Sequence, residues 1–580
     1  MKSKVLFLMA VFCFITSVVL PTAARQINVT DYGAVPSDDK DDTAEIQATV
    51  VALQNGDKLI FDKGQYDIYK TISIKDLDNI EVDGRGTTLM MKGYDRKTNR
   101  GAFTLFVLSN CDNLYMHELF IDQEPSRHME GKIVNVTDEY LDLEIFREFL
   151  PITGEEAFGT VMDYYSDGTP CGKNFYQPKI TKRELIKPNT LRLWTSQANL
   201  TKPGRYIVIR HTAYGPGTFS VSAVKGFTLR DVNVYAGGMV LSAHDRTSDI
   251  LLERFNITFK PGTQRLMSAN ADGLHLNMCT GKITIKDSLL EGMGDDCINI
   301  HSMYGRVLSV DSANNKVVIE GAKRQTNAPG VMNRTVIQNY FLPGEEGIFY
   351  EEDQMAPKGK AVVKSFENQD ATAVIEFESL PGGIEKGDLV DNITCYPSQV
   401  HLSDCKLGRN RARGFLLQVP NVIVENCEFY HSTSGGIWVI TDTHFWYESG
   451  PVNNVLICNN RFIGCNKGET FREGAVLVFC ENYGWQGYGP AGVHKNITIR
   501  NNYFQDTEAS ALFISSAEKV KVINNVIEDV SKDPGKISNG EYAIYVEKTN
   551  NCLISGNTVK NGNKIFGMDE SSCKDVTFIP

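Results

Sequence analysis

The sequence predicts an all-β protein, a right-handed parallel β-helix with an N-terminal capping helix and two inserted small antiparallel β-barrel domains. Short apolar strands recur along the chain, and Asn or Asp follows many of them. Phe227 and Ile250 begin two such strands 23 residues apart, and Ile497 and Val520 repeat that interval. Stacked coils of this size bury β-branched side chains between parallel strands, about 4.8 Å apart. The L-x-x-L-x-L spacing of the rival leucine-rich repeat is missing.

The length of the chain limits its domain organisation, and its net charge limits the classes of partner. With 580 residues it is too long for one ordinary core, so several domains or an elongated repeat are expected. The net charge of −12 argues against nucleic acid or a strongly acidic polymer as the main partner.

Residues 1–24 have the pattern of a signal peptide. Two lysines precede an apolar run, and small residues near Ala24 offer a cleavage site. The alternative is a membrane anchor, but no stop-transfer pattern follows and no later run is long enough to cross a bilayer. We therefore expect an exported protein, periplasmic or extracellular, without membrane insertion.

Residues 25–126 are expected to form the N-terminal cap and the first coils. One strand and a turn lead to an amphipathic helix that begins near Thr43. A helix there would cover the open end of the solenoid, where unpaired strand edges are otherwise exposed.

Two segments interrupt the repeat. Residues 127–211 and 303–394 each contain alternating strands joined by polar hairpin turns, a pattern that predicts two inserted antiparallel barrels. They flank β-helix residues 212–302, which hold an acidic site, and coils 395–580 follow. Enlarged loops on a rigid scaffold are often functional, although insertions without a role are also tolerated. Inserted barrels could mediate a homo-oligomer.

The acidic site consists of Asp272, Asp295 and Asp296. Asp272 and Asp295 are 23 residues apart, so the repeat places them on the same face of neighbouring coils. Strand alternation alone would point Asp296 to the other side. Three close carboxylates repel one another, and a raised pKa in one would supply the acid and base that glycoside hydrolysis needs. A calcium site or solvated turn residues are the alternatives.

Other polar and aromatic residues near these coils are candidate sugar contacts. Such contacts combine an aromatic ring under the sugar with polar groups at its hydroxyls. The favoured candidates are His275, His301, Arg413, Trp446 and Glu448. Weaker candidates are Arg411, Trp438, whose strand position favours the core, and the loop residues Glu481 and Trp485.

The segment "NADG…GDDCINIH" resembles the N-x-D…D-D core of β-helix glycosidases, including the family 28 polygalacturonases, whose G-H-G and R-I-K motifs are missing here. A fuller resemblance is to glycoside hydrolase family 110, the exported bacterial α-1,3-galactosidases. It covers nearly the whole mature chain and includes "RARGFLLQ" and "WYESGPVNNVLICNNRF".

This resemblance implies an inverting exo-glycosidase that removes terminal α-1,3-linked galactose, as in blood group B type glycans. Whether a branched, fucosylated substrate is required or a linear one suffices is left open by the sequence. Asp295 and Asp296 match the paired carboxylates of the family and Asp272 matches its third acid, without a division of roles. Neither a metal nor a covalent intermediate is implied.

No C-x-x-C motif or His-rich cluster is present, so no cofactor and no metal are expected. Three other functions remain open: a polygalacturonase-like hydrolase, a calcium-dependent polysaccharide lyase, and a non-catalytic carbohydrate-binding β-helix. The last would not need the three carboxylates.

Overall fold

The structure, a computed structural model, describes residues 24–171, 180–321, 339–369, 372–443, 446–468, 473–481, 488–532, 541–561 and 564–580. It is a parallel β-helix in which each full coil contributes strands to three parallel ladders. The predicted signal peptide, residues 1–24, lies outside the described residues except for its last position. No helix of the described part is long and apolar enough to cross a membrane.

The first ladder carries the site. Its strands are Ile72–Lys75, Phe106–Ser109, Phe219–Ser222, Leu241–His244, Leu274–Asn277, the start of Ile298–Asp311, Arg413–Leu417, Gly435–Asp442, Gly474–Glu481, Ser510–Ile514, Tyr542–Val546 and Lys564–Met568.

The second ladder follows the first within each coil. Its strands are Gln26–Asn28, Lys58–Ile60, Asp78–Met91, Asp112–Gln123, Lys225–Val234, Ser248–Ile257, Thr280–Lys286, Gln399–Ser403, Val422–Glu425, Asn453–Cys458, His494–Arg500, Ala517–Ile523, Thr549–Ser555 and Lys574–Ile579.

The third ladder begins with Gln65–Ile68 and continues through the second halves of the four long strands of the second ladder. Its later strands are Leu289–Glu291, Lys406–Gly408, Glu428–Tyr430, Arg461–Ile463, Tyr503–Gln505, Val526–Glu528 and Thr558–Lys560.

Strand alternation builds the core between the ladders. In Leu274–Asn277 both leucines are buried, whereas the alternate residues, His275 and Asn277, face outward. The inward residues of successive coils form one apolar core along the solenoid.

The corners between the second and third ladders are closed by stacked asparagines. Asn460, Asn502 and Asn525 are buried, and each donates its side-chain N–H to the side-chain oxygen of the next coil's Asn, at 3.1, 3.0 and 2.9 Å, ending at Asn557. These bonds satisfy polar groups that burial would otherwise leave without partners.

The helix Thr43–Val51 caps the N-terminal end, beginning where the sequence predicts. Its Ile46 and Val50 are buried in the core. The side chain of Gln47 donates to the Ser73 carbonyl at 3.2 Å and accepts from the Ser73 N–H at 2.7 Å. Gln47 therefore occupies the edge of the first strand of the first ladder.

The first interruption folds into a six-stranded antiparallel sheet around its own apolar core. In spatial order its strands are Thr160–Tyr164, Tyr206–Arg210, His128–Val136, Tyr140–Ile145, Thr190–Thr195 and Ile180–Lys187. Closure of this sheet into a barrel stays a prediction, since residues 172–179 lie outside the described part. Short 3₁₀ helices occur at Val29–Tyr32, Arg147–Phe149 and Ala198–Leu200.

The second interruption is a closed antiparallel ring with a separate core. Each strand pairs with the next, and the last returns to the first: Ile298–Asp311, Lys316–Glu320, Thr372–Phe377, Pro357–Gln369, Glu346–Tyr350 and Leu389–Asn392. The strand Ile298–Asp311 thus belongs to both the β-helix and the ring. The short strand Glu448–Ser449 pairs with it at Ser302 and Met303.

The cysteines of the described residues are free thiols, and all but Cys573 are buried. They pack as small apolar side chains of the cores.

Candidate active site

The three aspartates lie in the bends that precede consecutive strands of the first ladder. One carboxylate oxygen from each of Asp272, Asp295 and Asp296 lies within 4.8 Å of the others. Leu274 pairs with Ile298, and Ile298 pairs with Phe415. The sequence-predicted acids are therefore brought together.

The register corrects one expectation. Asp272 and Asp296 are 24 residues apart and are joined by a hydrogen bond of 3.2 Å from the Asp296 N–H to Asp272 Oδ1. The coil is one residue longer here than the 23-residue interval, so Asp296, not Asp295, lies directly beside Asp272 on the next coil. Strand alternation does not direct Asp296 inward, because the strand begins only at Ile298.

Asp296 is held by Arg413 of the following coil. The Arg413 backbone N–H donates to Oδ1 at 2.8 Å, and its guanidinium Nη2 lies 2.9 Å from Oδ2. Burial, together with repulsion from Asp295, raises the pKa of Asp296 to about 7 although Arg413 acts to lower it. Asp296 can therefore change its charge near neutral pH.

Asp272 is buried beside both other acids. Burial and the charges of Asp295 and Asp296 raise its pKa well above the usual range of a carboxyl, against the opposing effect of Arg413. With two arginines beside three acids, a proton on Asp272 balances the charge of the cluster.

Asp295 has different neighbours. Arg411 Nη1 lies 3.3 Å from its Oδ1, and the Tyr214 hydroxyl donates to its Oδ2 at 3.1 Å. The Asn410 side-chain N–H donates to its backbone carbonyl at 2.9 Å. The side chain of Asp295 is 13% exposed, compared with 3% for Asp296, so Asp295 is the more accessible of the adjacent pair.

The first insertion fixes the bends that carry these acids. The side-chain N–H₂ of Asn270 donates to the carbonyls of Arg127 and Thr212, at 3.1 and 2.8 Å. Arg210 is buried and donates to the carbonyls of Asn270 and Gly294. Both ends of the insertion therefore hold the backbone next to Asp272 and Asp295.

His275, His301 and Glu448 form a second group on the outward face of the first ladder. The Nε2 atoms of the two histidines are 3.1 Å apart, and His301 Nε2 lies 3.6 Å from Glu448 Oε1. The Gln418 side-chain N–H donates to Glu448 Oε2 at 2.7 Å. His301 and Glu448 are buried and His275 is half-buried.

The remaining candidate residues differ in their burial and in the groups that they contact. Trp438 is buried, as its strand position predicts, in an apolar cluster separate from the main β-helix core, and the Arg413 guanidinium lies 5.0 Å from its ring. Trp446 is half-buried, and its backbone N–H donates to Asp442 at 2.7 Å. Glu481 ends the strand Gly474–Glu481. Trp485 lies outside the described residues.

Sequence reasoning missed Tyr214, Asn270, Asn410 and Gln418. Tyr214 lies in the loop that leaves the first insertion, where no motif surrounds it. Asn270 was visible in "NADG", but its partners on the insertion were not.

No protein-family model matches this chain. It is 27% identical to α-1,3-galactosidase B of Akkermansia muciniphila, over 92% of this chain and 69% of that protein. It is 24% identical to α-1,3-galactosidase A of Shewanella woodyi, over 92% and 90% of the two chains. α-1,3-Galactosidase A of Bacteroides fragilis is 25% identical, with 91% of each chain covered.

Among solved structures, the Agl-KA catalytic domain superposes on the chain with a TM-score of 0.50 at 13% identity, over 96% of this chain and 69% of that domain. This likeness concerns the fold. The resemblance that the motifs indicate is confirmed, and the protein is a relative of the curated α-1,3-galactosidases over about nine-tenths of its length.

Proposed function

We propose that the protein is a glycoside hydrolase that removes terminal, non-reducing α-1,3-linked galactose from oligosaccharides and glycoconjugates. The observation that carries the proposal is the cluster of Asp272, Asp295 and Asp296, in which burial raises two pKa values beside a third, more exposed carboxylate. The relatives named α-1,3-galactosidase support the galactoside as substrate.

The three acids have different surroundings, and we assign each a role in the reaction accordingly. Asp272, whose pKa burial and the two neighbouring carboxylates raise well above the usual range of a carboxyl, is the proposed acid that donates a proton to the departing glycosidic oxygen. Asp295, paired with Arg411 and accessible, accepts a proton from the attacking water. Asp296 keeps Arg413 in place and adds negative charge near the developing positive charge of the sugar.

The stereochemical course has two candidates. The resemblance implies inversion, for which carboxyl groups are usually about 6.5–9.5 Å apart. The nearest carboxylate oxygens here lie within 4.8 Å, which favours the closer spacing of a retaining enzyme, about 5–5.5 Å. We propose inversion, on the strength of the resemblance of the motifs to glycoside hydrolase family 110, and the anomer that the protein releases first decides between the two courses.

Sugar hydroxyls are bound by the second polar group. His275, His301 and Glu448 offer donors and acceptors on the same outward face. Arg413 acts through Asp296, and Trp438, stacked under Arg413, is a better aromatic neighbour of the site than Trp446.

The test is incubation with a terminal α-1,3-galactosyl trisaccharide, with the released galactose followed by NMR. Initial β-galactose supports the proposal, and initial α-galactose replaces inversion by retention. A chain that releases no galactose from this or a fucosylated substrate, but cleaves polygalacturonate, is the polygalacturonase-like alternative. Binding of a glycan without cleavage identifies the carbohydrate-binding alternative.

Export to the periplasm or the cell exterior is part of the proposal and is supported by the pattern of residues 1–24. Cell fractionation with N-terminal sequencing of the mature protein tests it. We also propose that the inserted barrels mediate contacts in a homo-oligomer. Light scattering measures the oligomeric state and tests this.

A further inference from the structure

The group of His275, His301 and Glu448 has the composition and geometry of a transition-metal site. Two imidazoles and one carboxylate are a common zinc ligand set, with a fourth position left for water. Ligand atoms about 2.1 Å from one tetrahedral ion lie about 3.4 Å apart. The two measured separations, 3.1 Å between the imidazole Nε2 atoms and 3.6 Å from His301 Nε2 to Glu448 Oε1, bracket that value.

The orientation of His301 supports this reading. Its Nδ1 lies 2.6 Å from the Ser302 carbonyl oxygen, and such contact requires a hydrogen on Nδ1. In the neutral ring Nε2 then carries a lone pair, and it is this atom that faces His275 and Glu448. Metal-binding histidines characteristically donate their other ring N–H to a carbonyl or carboxylate in this way.

Glu448 is oriented as well. Gln418 donates to Oε2, which leaves Oε1 as the oxygen nearer to His301. The antiparallel pair Met303–Glu448 fixes the backbone of the carboxylate against the strand that carries His301. The three ligands therefore come from three separate segments that the fold holds in place, which is why no ligand spacing was visible in the sequence.

Two other groups of potential ligands are less suited to a metal. In the group Glu81, Asp83 and His117, Lys58 Nζ lies 2.8 and 2.7 Å from the two carboxylates. In the group Asp272, Asp295 and Asp296, the guanidinium groups of Arg411 and Arg413 bind two of the three acids. Side-chain cations thus supply the positive charge in both.

We propose that His275, His301 and Glu448 bind one zinc ion. The ligand set favours zinc over calcium or magnesium, which prefer oxygen ligands. The same residues are the proposed sugar contacts, so the ion would lie at the sugar-binding position. The zinc proposal itself concerns binding of the ion and is tested without a glycan.

The test is isothermal titration of the untagged, chelator-treated chain with zinc chloride at pH 7.5. The wild type is expected to bind one zinc ion per chain, and Glu448→Gln and His275→Gln are expected to weaken binding at least tenfold. His117→Ala, from the group that contains Lys58, is the matched control and should bind as the wild type does. Thermal melting establishes that each variant is folded.

Cobalt substitution identifies the ligands spectroscopically. A cobalt complex with nitrogen and oxygen ligands shows ligand-field bands without a sulfur charge-transfer band. Absence of zinc binding, binding that both Gln variants retain, or a thiolate band from the cysteines would each overturn the proposal.

Discussion

Two groups of acids on the same β-helix have opposite electrostatics. In Glu81, Asp83 and His117, burial alone raises the pKa of both carboxyls, but Lys58 and His117 outweigh it and hold both pKa values below their usual range. In the candidate site, burial and mutual repulsion outweigh the arginines, and the pKa values of Asp272 and Asp296 rise.

The comparison shows that clustered acids alone do not identify an active site. Glu81 is 35% exposed and within reach of an ammonium group, so it behaves as part of a surface ion-pair network. Asp296 is 3% exposed, and its positive partner does not cancel the cost of burial. The balance between burial and neutralisation separates the two groups.

The largest effect expected is on catalysis. Asp295→Asn removes the proposed base and should lower kcat by about 10²–10⁴, measured as galactose release from the trisaccharide. Asp83→Asn, its counterpart in the other group, should leave kcat within about twofold because it lies outside the site. Equal losses in both variants would remove the distinction between the two groups.

The next effect is on stability and depends on pH. Asp272→Asn relieves repulsion and should stabilise the fold by about 1–3 kcal/mol at pH 8 while abolishing activity. A raised native pKa favours folding below the unfolded pKa, near 4, and that contribution is lost as pH rises through the native pKa. The advantage of the variant should therefore grow from pH 4 to pH 8 in chemical denaturation. An advantage that is constant with pH would contradict the raised pKa of Asp272.

A smaller effect is expected from Tyr214. Tyr214→Phe removes the 3.1 Å hydrogen bond to Asp295 and should lower kcat about tenfold, with KM nearly unchanged. A lower kcat accompanied by a lower melting temperature would instead indicate a general loss of structure.

The smallest effect is expected from Lys58→Met, which removes the ammonium group that neutralises Glu81 and Asp83. The free energy of unfolding should fall by about 1 kcal/mol at low salt and by less at high salt, with kcat unchanged. Denaturant titration at two salt concentrations measures this. A stability loss as large at high salt as at low salt would show that packing, not charge, holds the group.

The fold could be predicted from the sequence because each coil repeats a short, local pattern of residues. The alternation of apolar and polar residues in strands such as Leu274–Asn277 indicates directly which side chains are buried. The recurring Asn residues mark the corners between strands. The sequence also indicates that Asp272, Asp295 and Asp296 form one cluster, since the length of one coil separates Asp272 from the adjacent pair. The actual register required the structure, because a one-residue longer coil moves Asp296, not Asp295, beside Asp272.

The rest of the site depends on contacts between distant segments. Glu448 reaches His301 through a two-residue antiparallel strand, which leaves no periodic signal. Tyr214 reaches Asp295 from a loop that only the folded first insertion positions. Such contacts depend on how the interruptions pack, and composition and spacing contain no measure of that.

At the two ends of the first insertion, the carbonyls of Arg127 and Thr212 accept from the side chain of Asn270, and Arg210 donates to the backbone carbonyls of Asn270 and Gly294. This has a consequence for protein engineering. The insertion looks like a module that could be exchanged between β-helix scaffolds. Its anchoring residues, however, are hydrogen-bonded to the bends that carry the catalytic aspartates. A graft that transfers the three aspartates without these anchors would transfer the reactive groups without their alignment.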